Sequence, residues 1–199
     1  MKRLLPLLVA AAGMSLAGVA HAAAEAPVSG NWQKHQDMFA YLGFTSHYSC
    51  EGLREKLTLL LTLAGARPGF KVDSTCAQPS GVPDRIATAR LTFWTLAPEG
   101  APPPAATGKS SDKTPAAAEP GVGAWRAVEL RAGSPRELQG GDCELVDQFA
   151  HEILPLFTTR ELTSRMNCVP HQENPQGILL KFEVLGAVPE PKHPVASAR

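Results

Sequence analysis

The chain of 199 residues has no surplus of charge of either sign, because its 19 Lys and Arg residues balance its 19 Asp and Glu residues. Proteins that hold nucleic acids mainly through phosphate contacts need a basic surplus, so the composition excludes this class. Aromatic residues are scarce at 6%, yet the hydrophobic fraction of 44% is large enough for a packed core. The sequence therefore predicts a folded protein rather than a wholly disordered one.

The motifs of common enzyme classes are absent as well. The chain contains no HExxH, CxxC, GxSxG, GxGxxG or Walker-type pattern, and each of these places a metal, a nucleophile or a phosphate at a defined spacing. We therefore assign no catalytic residue, no cofactor and no metal site. The sequence favours a small non-catalytic binding or interaction protein, for which a protein of the cell envelope is one candidate partner.

A long hydrophobic run occurs only once, near the start of the chain. Two basic residues precede the apolar segment 4–20, and residues 20–22 (Ala-His-Ala) fit the small-x-small pattern of a cleavage site. We predict a Sec-type signal peptide over residues 1–22, cleaved after Ala22, and no membrane span after cleavage. A transmembrane anchor is the alternative, for which the run is slightly short. The style of this signal indicates the bacterial periplasm, or secretion.

Cysteine is also sparse, but the four Cys residues occur in two matching contexts. Residues 49–51 (Ser-Cys-Glu) and 142–144 (Asp-Cys-Glu) each combine a helix-capping residue, a Cys and an acid suited to the first helical turn. Apolar residues at helical spacing follow both. A short extended segment then leads to Cys76 in the first case and to Cys168 in the second.

These contexts also predict how the cysteines pair. In a β-α-β unit the helix runs against the strands on either side of it, so its N-terminus meets the end of the following strand. This geometry, in an oxidising compartment, predicts the disulfides Cys50–Cys76 and Cys143–Cys168. The alternative pairing, Cys50–Cys143 with Cys76–Cys168, would join the two halves of the chain to each other.

Candidate strands flank both helices, so each half of the chain follows the pattern β-α-β-β. The strands are predicted at residues 38–44, 70–76, 86–96, 125–131, 161–168 and 178–185. We predict an α+β fold of duplicated β-α-β-β halves, with an antiparallel or mixed sheet and two helices on one face.

The expected boundaries follow from the positions of proline-rich sequence. After the signal peptide, we predict a disordered N-terminus at 23–30, the first half at 31–96, a linker rich in Pro and Ala at 97–123, the second half at 124–187 and a disordered tail at 188–199.

Two histidines lie three residues from a predicted disulfide, and they define an alternative function. His47 and His171 fall near the same expected edge of the sheet as Glu51 and Glu144, so these four residues form a candidate polar cluster. Such a cluster would suit an envelope hydrolase or a metal-dependent enzyme, although surface loop residues are the simpler interpretation. The aromatic-rich segment 32–48 is either a recognition surface or, more simply, a core strand.

A pattern around the first helix consists of residues 48–53 (Tyr-Ser-Cys-Glu-Gly-Leu), Lys56, Leu60, Leu61 and residues 65–67 (Gly-Ala-Arg). This pattern resembles uncharacterised exported proteins of proteobacteria that carry paired cysteines. The resemblance covers residues 38–78 and, more faintly, 142–171. It implies a secreted domain with paired cysteines, and it brings no activity, cofactor or catalytic residue.

Overall fold

The computed structural model of the chain describes residues 26–75, 85–100 and 119–187. The predicted signal peptide and the predicted tail lie outside these ranges. The described helices and strands are, in chain order, β1 (Val28–Leu42), α1 (Cys50–Leu63), β2 (Lys71–Thr75), β3 (Ile86–Pro98), β4 (Glu119–Arg131), α2 (Cys143–Glu152), β5 (Thr159–Met166) and β6 (Ile178–Ala187).

The strands form one antiparallel sheet in the order β2-β3-β1-β4-β6-β5. The first half, residues 26–100, supplies the three strands on one side, and the second half, residues 119–187, supplies the three on the other. The predicted α+β class is confirmed, and the sheet is antiparallel rather than mixed. No helix among the described residues has both the length and the hydropathy needed to cross a membrane.

The two halves of the sheet meet through a short stretch of β1 and β4. Val28 to Trp32 of β1 pair with Gly123 to Glu119 of β4. Beyond this stretch the two strands continue in opposite directions. Within the described residues, β1 then pairs with β3 alone and β4 with β6 alone.

Both helices pack on the same face of the sheet, where they form the main core. Alternate residues of each strand point to this face, so Phe39 and Tyr41 of β1 are fully buried. The apolar stripe of α1 and the start of α2 meet them there. The largest contributors from the helices are Leu53, Leu57, Leu60, Leu61, Leu145 and Phe149.

The opposite face carries a second, smaller cluster where the halves meet. Trp32, Leu96 and Leu185 are buried there, and Trp94 and Trp125 pack against them, so all three tryptophans of the chain belong to this cluster. A Cβ atom at Gly121 would overlap the Trp32 indole. The absence of a side chain at this position therefore lets the ring lie flat on β4.

Both central strands are longer than the sequence predicts. β1 begins at Val28 rather than residue 38, and β4 begins at Glu119 rather than residue 125. The predicted linker at 97–123 therefore loses both ends to strands, and the predicted disordered segment at 23–30 loses its last three residues to β1. The added residues include Gly and Pro, which have low strand propensity, so the pairing between β1 and β4 overrides local preference.

His35 of β1 is a mostly buried histidine that makes stability depend on pH. Its ring stacks on Phe93 with centroids 5.1 Å apart, and its Nε2 lies 2.8 Å from the Thr95 hydroxyl. Burial lowers the pKa of His35 below its ordinary value of 6.5, and the Asp37 carboxylate opposes this effect to a lesser extent. The folded protein therefore favours the neutral ring, so the unfolded chain binds more protons just below pH 6.5.

We expect the stability that His35 contributes to be complete above its ordinary pKa and to fall as the pH drops below that value. The variant His35→Gln keeps a hydrogen-bonding side chain but does not titrate. Urea unfolding at about pH 7.5 and about pH 5.5 should show a larger loss of unfolding free energy on acidification for the wild-type chain than for this variant. Equal losses would mean that His35 is not the titrating group.

Candidate functional site

The loop that follows β1 is held in place by a buried carboxylate of α2. Glu144 lies in the first turn of α2 and is largely buried. Its Oε2 accepts hydrogen bonds from the backbone N–H groups of Phe44 at 2.7 Å and Thr45 at 3.0 Å. A buried carboxylate without donors would be strongly unfavourable, so these two bonds fix the position of the loop relative to α2.

A second buried carboxylate joins α1 to the turn before α2. Asp142 accepts hydrogen bonds from the Lys56 ammonium at 2.6 Å, from the Gln139 N–H at 2.7 Å and from the Tyr48 hydroxyl. Burial, with the Asp142 charge as the next cause, raises the pKa of Tyr48 well above its usual range, so the phenol stays a donor. The interpretation of Asp142 as the side-chain cap of α2 is wrong, because its side chain makes no capping bond to α2 and accepts from these three donors instead.

A second side chain of α2 engages the end of β1. The Gln148 side-chain amide accepts from the Leu42 N–H at 3.0 Å and donates to the Leu42 carbonyl at 2.7 Å. Asp142, Glu144 and Gln148 together connect the second half to residues 42–56 of the first half. We refer to these three side chains as the α2 clamp.

The predicted disulfide Cys143–Cys168 is confirmed, with Cα atoms 5.4 Å apart. It excludes the alternative pairing of Cys143 with Cys50. Cys50 is itself disulfide-bonded, and its predicted partner Cys76 lies outside the described residues. The Cys143–Cys168 bond ties the segment after β5 to the start of α2, where the Thr45 hydroxyl donates to the Val169 carbonyl at 3.3 Å.

The exposed large hydrophobic residues of the described chain are concentrated at this end of the fold. Leu42 pairs directly with Ile86 across β1 and β3, and Met38 lies on the same helix-free face. The Phe44 ring follows, with the Arg85 guanidinium 4.6 Å above it and the His171 ring 6.2 Å away. Of the seven such residues in the described ranges, five belong to this surface. We call it the apolar patch, defined as Met38, Leu42, Phe44, Ile86 and Val169.

The four residues of the predicted polar cluster occupy three different settings. Glu144 is in the α2 clamp, and His171 borders the apolar patch through Phe44. His47 is exposed, and Glu51 is an exposed residue paired with Arg54. Within the part of the chain that the structure describes, no hydrogen bond joins either histidine to an acid, and no group of three His, Cys, Asp or Glu side chains could hold a metal ion.

The apolar run at residues 38–44 could have predicted the apolar patch from the sequence alone. Residues 38–44 are apolar at both odd and even positions, whereas a strand with one solvated face should alternate. Such a run is typical of a strand with both faces covered, but the structure places a helix on one face only. The segment 32–48 is therefore both a core strand, through Phe39 and Tyr41, and an exposed apolar surface, through Met38 and Leu42.

A cleft of about 540 Å³ lies on the second half of the chain. A bulge in β5 forms one wall, where Glu161 adopts a positive φ of 55°. Three of the four charged groups that line the cleft are already matched, since the Lys181 ammonium lies 2.9 Å from Glu129 and Glu183 pairs with Arg160. Exposed ion pairs of this kind contribute little free energy. The apolar patch is therefore the stronger candidate for a functional site.

Comparison with known proteins adds no family to this description. No family model, curated protein sequence or solved structure matches the chain. The geometry of the apolar patch and the α2 clamp is therefore the basis for the functional interpretation.

Proposed function

We propose that this chain is a non-catalytic binding module that recognises another protein through its apolar patch. The observation that carries the proposal is the concentration of five of the seven exposed large hydrophobic residues at one end of β1 and β3. Contiguous exposed apolar surface with a polar rim marks interaction sites on soluble proteins. The patch also combines the Phe44 ring with the guanidinium of Arg85, a pairing of residue types that is common at the centres of protein interfaces.

The α2 clamp supports this proposal because it makes the patch rigid. Glu144 fixes the backbone at Phe44, Gln148 fixes Leu42, and the disulfide of Cys168 fixes the neighbouring Val169. A surface that is ordered before binding loses less conformational entropy on association. These bonds therefore give the patch a fixed shape for a specific partner.

The proposed location is the bacterial periplasm after removal of the signal peptide at 1–22. A disulfide in the fold fits an oxidising compartment, and the predicted signal is the second line of support. Cell fractionation with N-terminal sequencing of the mature chain tests this location, with Ala23 as the expected first residue. A chain that retains residues 1–22 in the cytoplasm would contradict it.

We also propose that the two halves arose by duplication of one β-α-β-β unit. From the outer edge of the sheet to its centre, each half places its second, third and first strand in that order. The order is β2-β3-β1 on one side and β5-β6-β4 on the other. The Cys-Glu pair at the start of each helix adds a second point of correspondence.

Site-specific photo-crosslinking tests the binding function directly. A photoreactive residue at Ile86, which is 62% exposed, samples the patch, and one at Leu162, which is 53% exposed, is the matched control on the second half. In the periplasm of the producing cell we expect a discrete adduct with another protein from Ile86 only, and Phe44→Ser should suppress it. Equal adducts from both positions, or none from Ile86, would contradict the proposal.

A further inference from the structure

Within the described residues, one side of β1 has no neighbouring strand over most of its length. The pairing of β1 with β4 ends at Trp32 and Glu119, yet β1 continues to Leu42. From Gln33 onwards, β3 is the only described strand that pairs with it. We call the other side of residues 34–40 the free edge of β1.

Leu42 and Gly43, which follow the free edge in the chain, show which backbone groups point towards that edge. The N–H and carbonyl of Leu42 both bond the Gln148 amide, whereas the N–H of Gly43 donates to Arg85 on the β3 side. Backbone groups of successive residues alternate between the two sides of a strand. The even-numbered residues 34, 36, 38 and 40 therefore direct their N–H and carbonyl groups to the free edge.

These backbone groups are almost all without a partner inside the described chain. The Met38 N–H donates to the Asp37 carboxylate at 2.8 Å. Within the described ranges, no other hydrogen bond reaches the N–H and carbonyl groups that the even-numbered residues 34–40 direct to the free edge. The side chains of Lys34, Gln36, Met38 and Ala40 are exposed on the helix-free face of β1. At the far end of the edge the Gln148 amide supplies the donor and acceptor that a neighbouring strand would supply.

The free edge leads directly into the apolar patch. Met38 belongs to both, and Lys34 lies at the opposite end with its ammonium 5.9 Å from the Trp94 ring. On the same face, Arg90 is the partner of Met38 across β3, and Arg85 covers Phe44. A ligand on this face therefore meets apolar groups at one end and the Lys34 ammonium at the other, whereas Arg90 has the acidic Asp73 as its partner on β2.

We infer that the free edge of β1 binds an extended peptide segment of the partner protein as an added antiparallel strand, with apolar side chains beside Ala40 and Met38 and an acidic side chain beside Lys34. This inference rests on the proposed function and names the form of its ligand. Main-chain hydrogen bonds give such strand addition its affinity, and alternate side chains give it specificity. The charge of the acidic residue complements Lys34.

The probe is a synthetic peptide, acetyl-Thr-Val-Thr-Ile-Thr-Val-Thr-Glu-Thr-amide, which sets Glu opposite Lys34 and Ile opposite Met38 in antiparallel register. Its matched control carries N-methyl groups on the Val and Ile residues. These groups remove the N–H donors that face β1 and keep every side chain. Hydrogen exchange by NMR is measured with each peptide at about 1 mM, which is suited to weak binding.

The peptide should slow exchange of the Gln36 and Ala40 amides by roughly tenfold, as expected for N–H groups that gain a strand partner. The odd-numbered amides bonded to β3 should not change, and the N-methylated peptide should have no effect. Absence of protection at Gln36 and Ala40 overturns the inference. So does protection that is already present without peptide, because the edge would then be occupied by residues 101–118 or, if the protection rises with protein concentration, by a second copy of the chain.

Two proline variants separate this inference from the proposed function. Ala40→Pro removes an N–H on the free edge, whereas Ala127→Pro is the control that removes the equivalent outward N–H of β4. Ala40→Pro should abolish peptide protection, and Ala127→Pro should preserve it. If both variants still bind the peptide equally, the inference fails. If the peptide does not bind while the Ile86 adduct persists, the inference fails and the proposed function stands.

Discussion

Replacement of both Cys143 and Cys168 with Ser is expected to lower the free energy of unfolding by about 3–4 kcal/mol. The bond closes a segment with a sequence separation of 25 residues, and in the chain-entropy model its removal frees that segment in the unfolded state. The loss is large because domains of this size have only about 5–15 kcal/mol of stability in total. Urea unfolding of the variant and the wild-type chain under the same oxidising conditions measures the difference.

The same substitution should also affect the apolar patch. Cys168 precedes Val169, whose carbonyl accepts the Thr45 hydroxyl, so loss of the bond should speed hydrogen exchange in the segment after β5. The amides of β2, at the far side of the sheet, serve as the internal control. A decrease in unfolding free energy below about 1 kcal/mol would show that other contacts hold this segment and that the disulfide contributes little to the fold.

The substitution Asp142→Ala is expected to lower the free energy of unfolding by about 3 kcal/mol. It leaves the Lys56 ammonium, the Tyr48 hydroxyl and the Gln139 N–H without their shared acceptor. Removal of one partner of a buried ion pair has a typical effect of about 3–5 kcal/mol. The lower end applies here because the Lys56 side chain keeps 21% of its exposure to water.

A matched control for this variant lies five residues further along the chain, in α2. Asp147→Ala removes a carboxylate that faces the exposed His151 and should change the free energy of unfolding by less than about 0.5 kcal/mol. In the double variant Asp142→Leu/Lys56→Met no charge is left unpaired, so part of the lost stability should return. Equal effects of Asp142→Ala and Asp147→Ala would remove the basis for treating the α2 clamp as a structural connection.

The local features of the fold could be predicted from the sequence because local physics determines them. The start of α1 follows from Ser49, whose hydroxyl accepts the Gly52 N–H at 3.1 Å as a helix cap. The end of α2 precedes Pro155, and the Cys143–Cys168 bond follows from the length of a helix and its returning strand. In each case the deciding residues are neighbours in sequence or belong to one β-α-β unit.

The candidate site could not be predicted in the same way because it depends on contacts between the halves. Glu144 bonds residues that are 99 and 100 positions away, and Tyr48 lies 94 positions from Asp142. The pairing of β1 with β4 through Gly and Pro residues opposes local propensity. It also leaves the free edge of β1, which no pattern of side chains encodes.

Quantitative binding of the partner isolated through the Ile86 adduct tests the function of the apolar patch most directly. Ile86→Ser removes the most exposed side chain of the patch, and Leu162→Ser makes the same change at the control position. We predict that Ile86→Ser weakens the complex at least about tenfold, which corresponds to about 1.4 kcal/mol, and that Leu162→Ser leaves the affinity unchanged. Equal affinities for the wild-type chain and both variants would contradict the assignment of the patch as the binding surface.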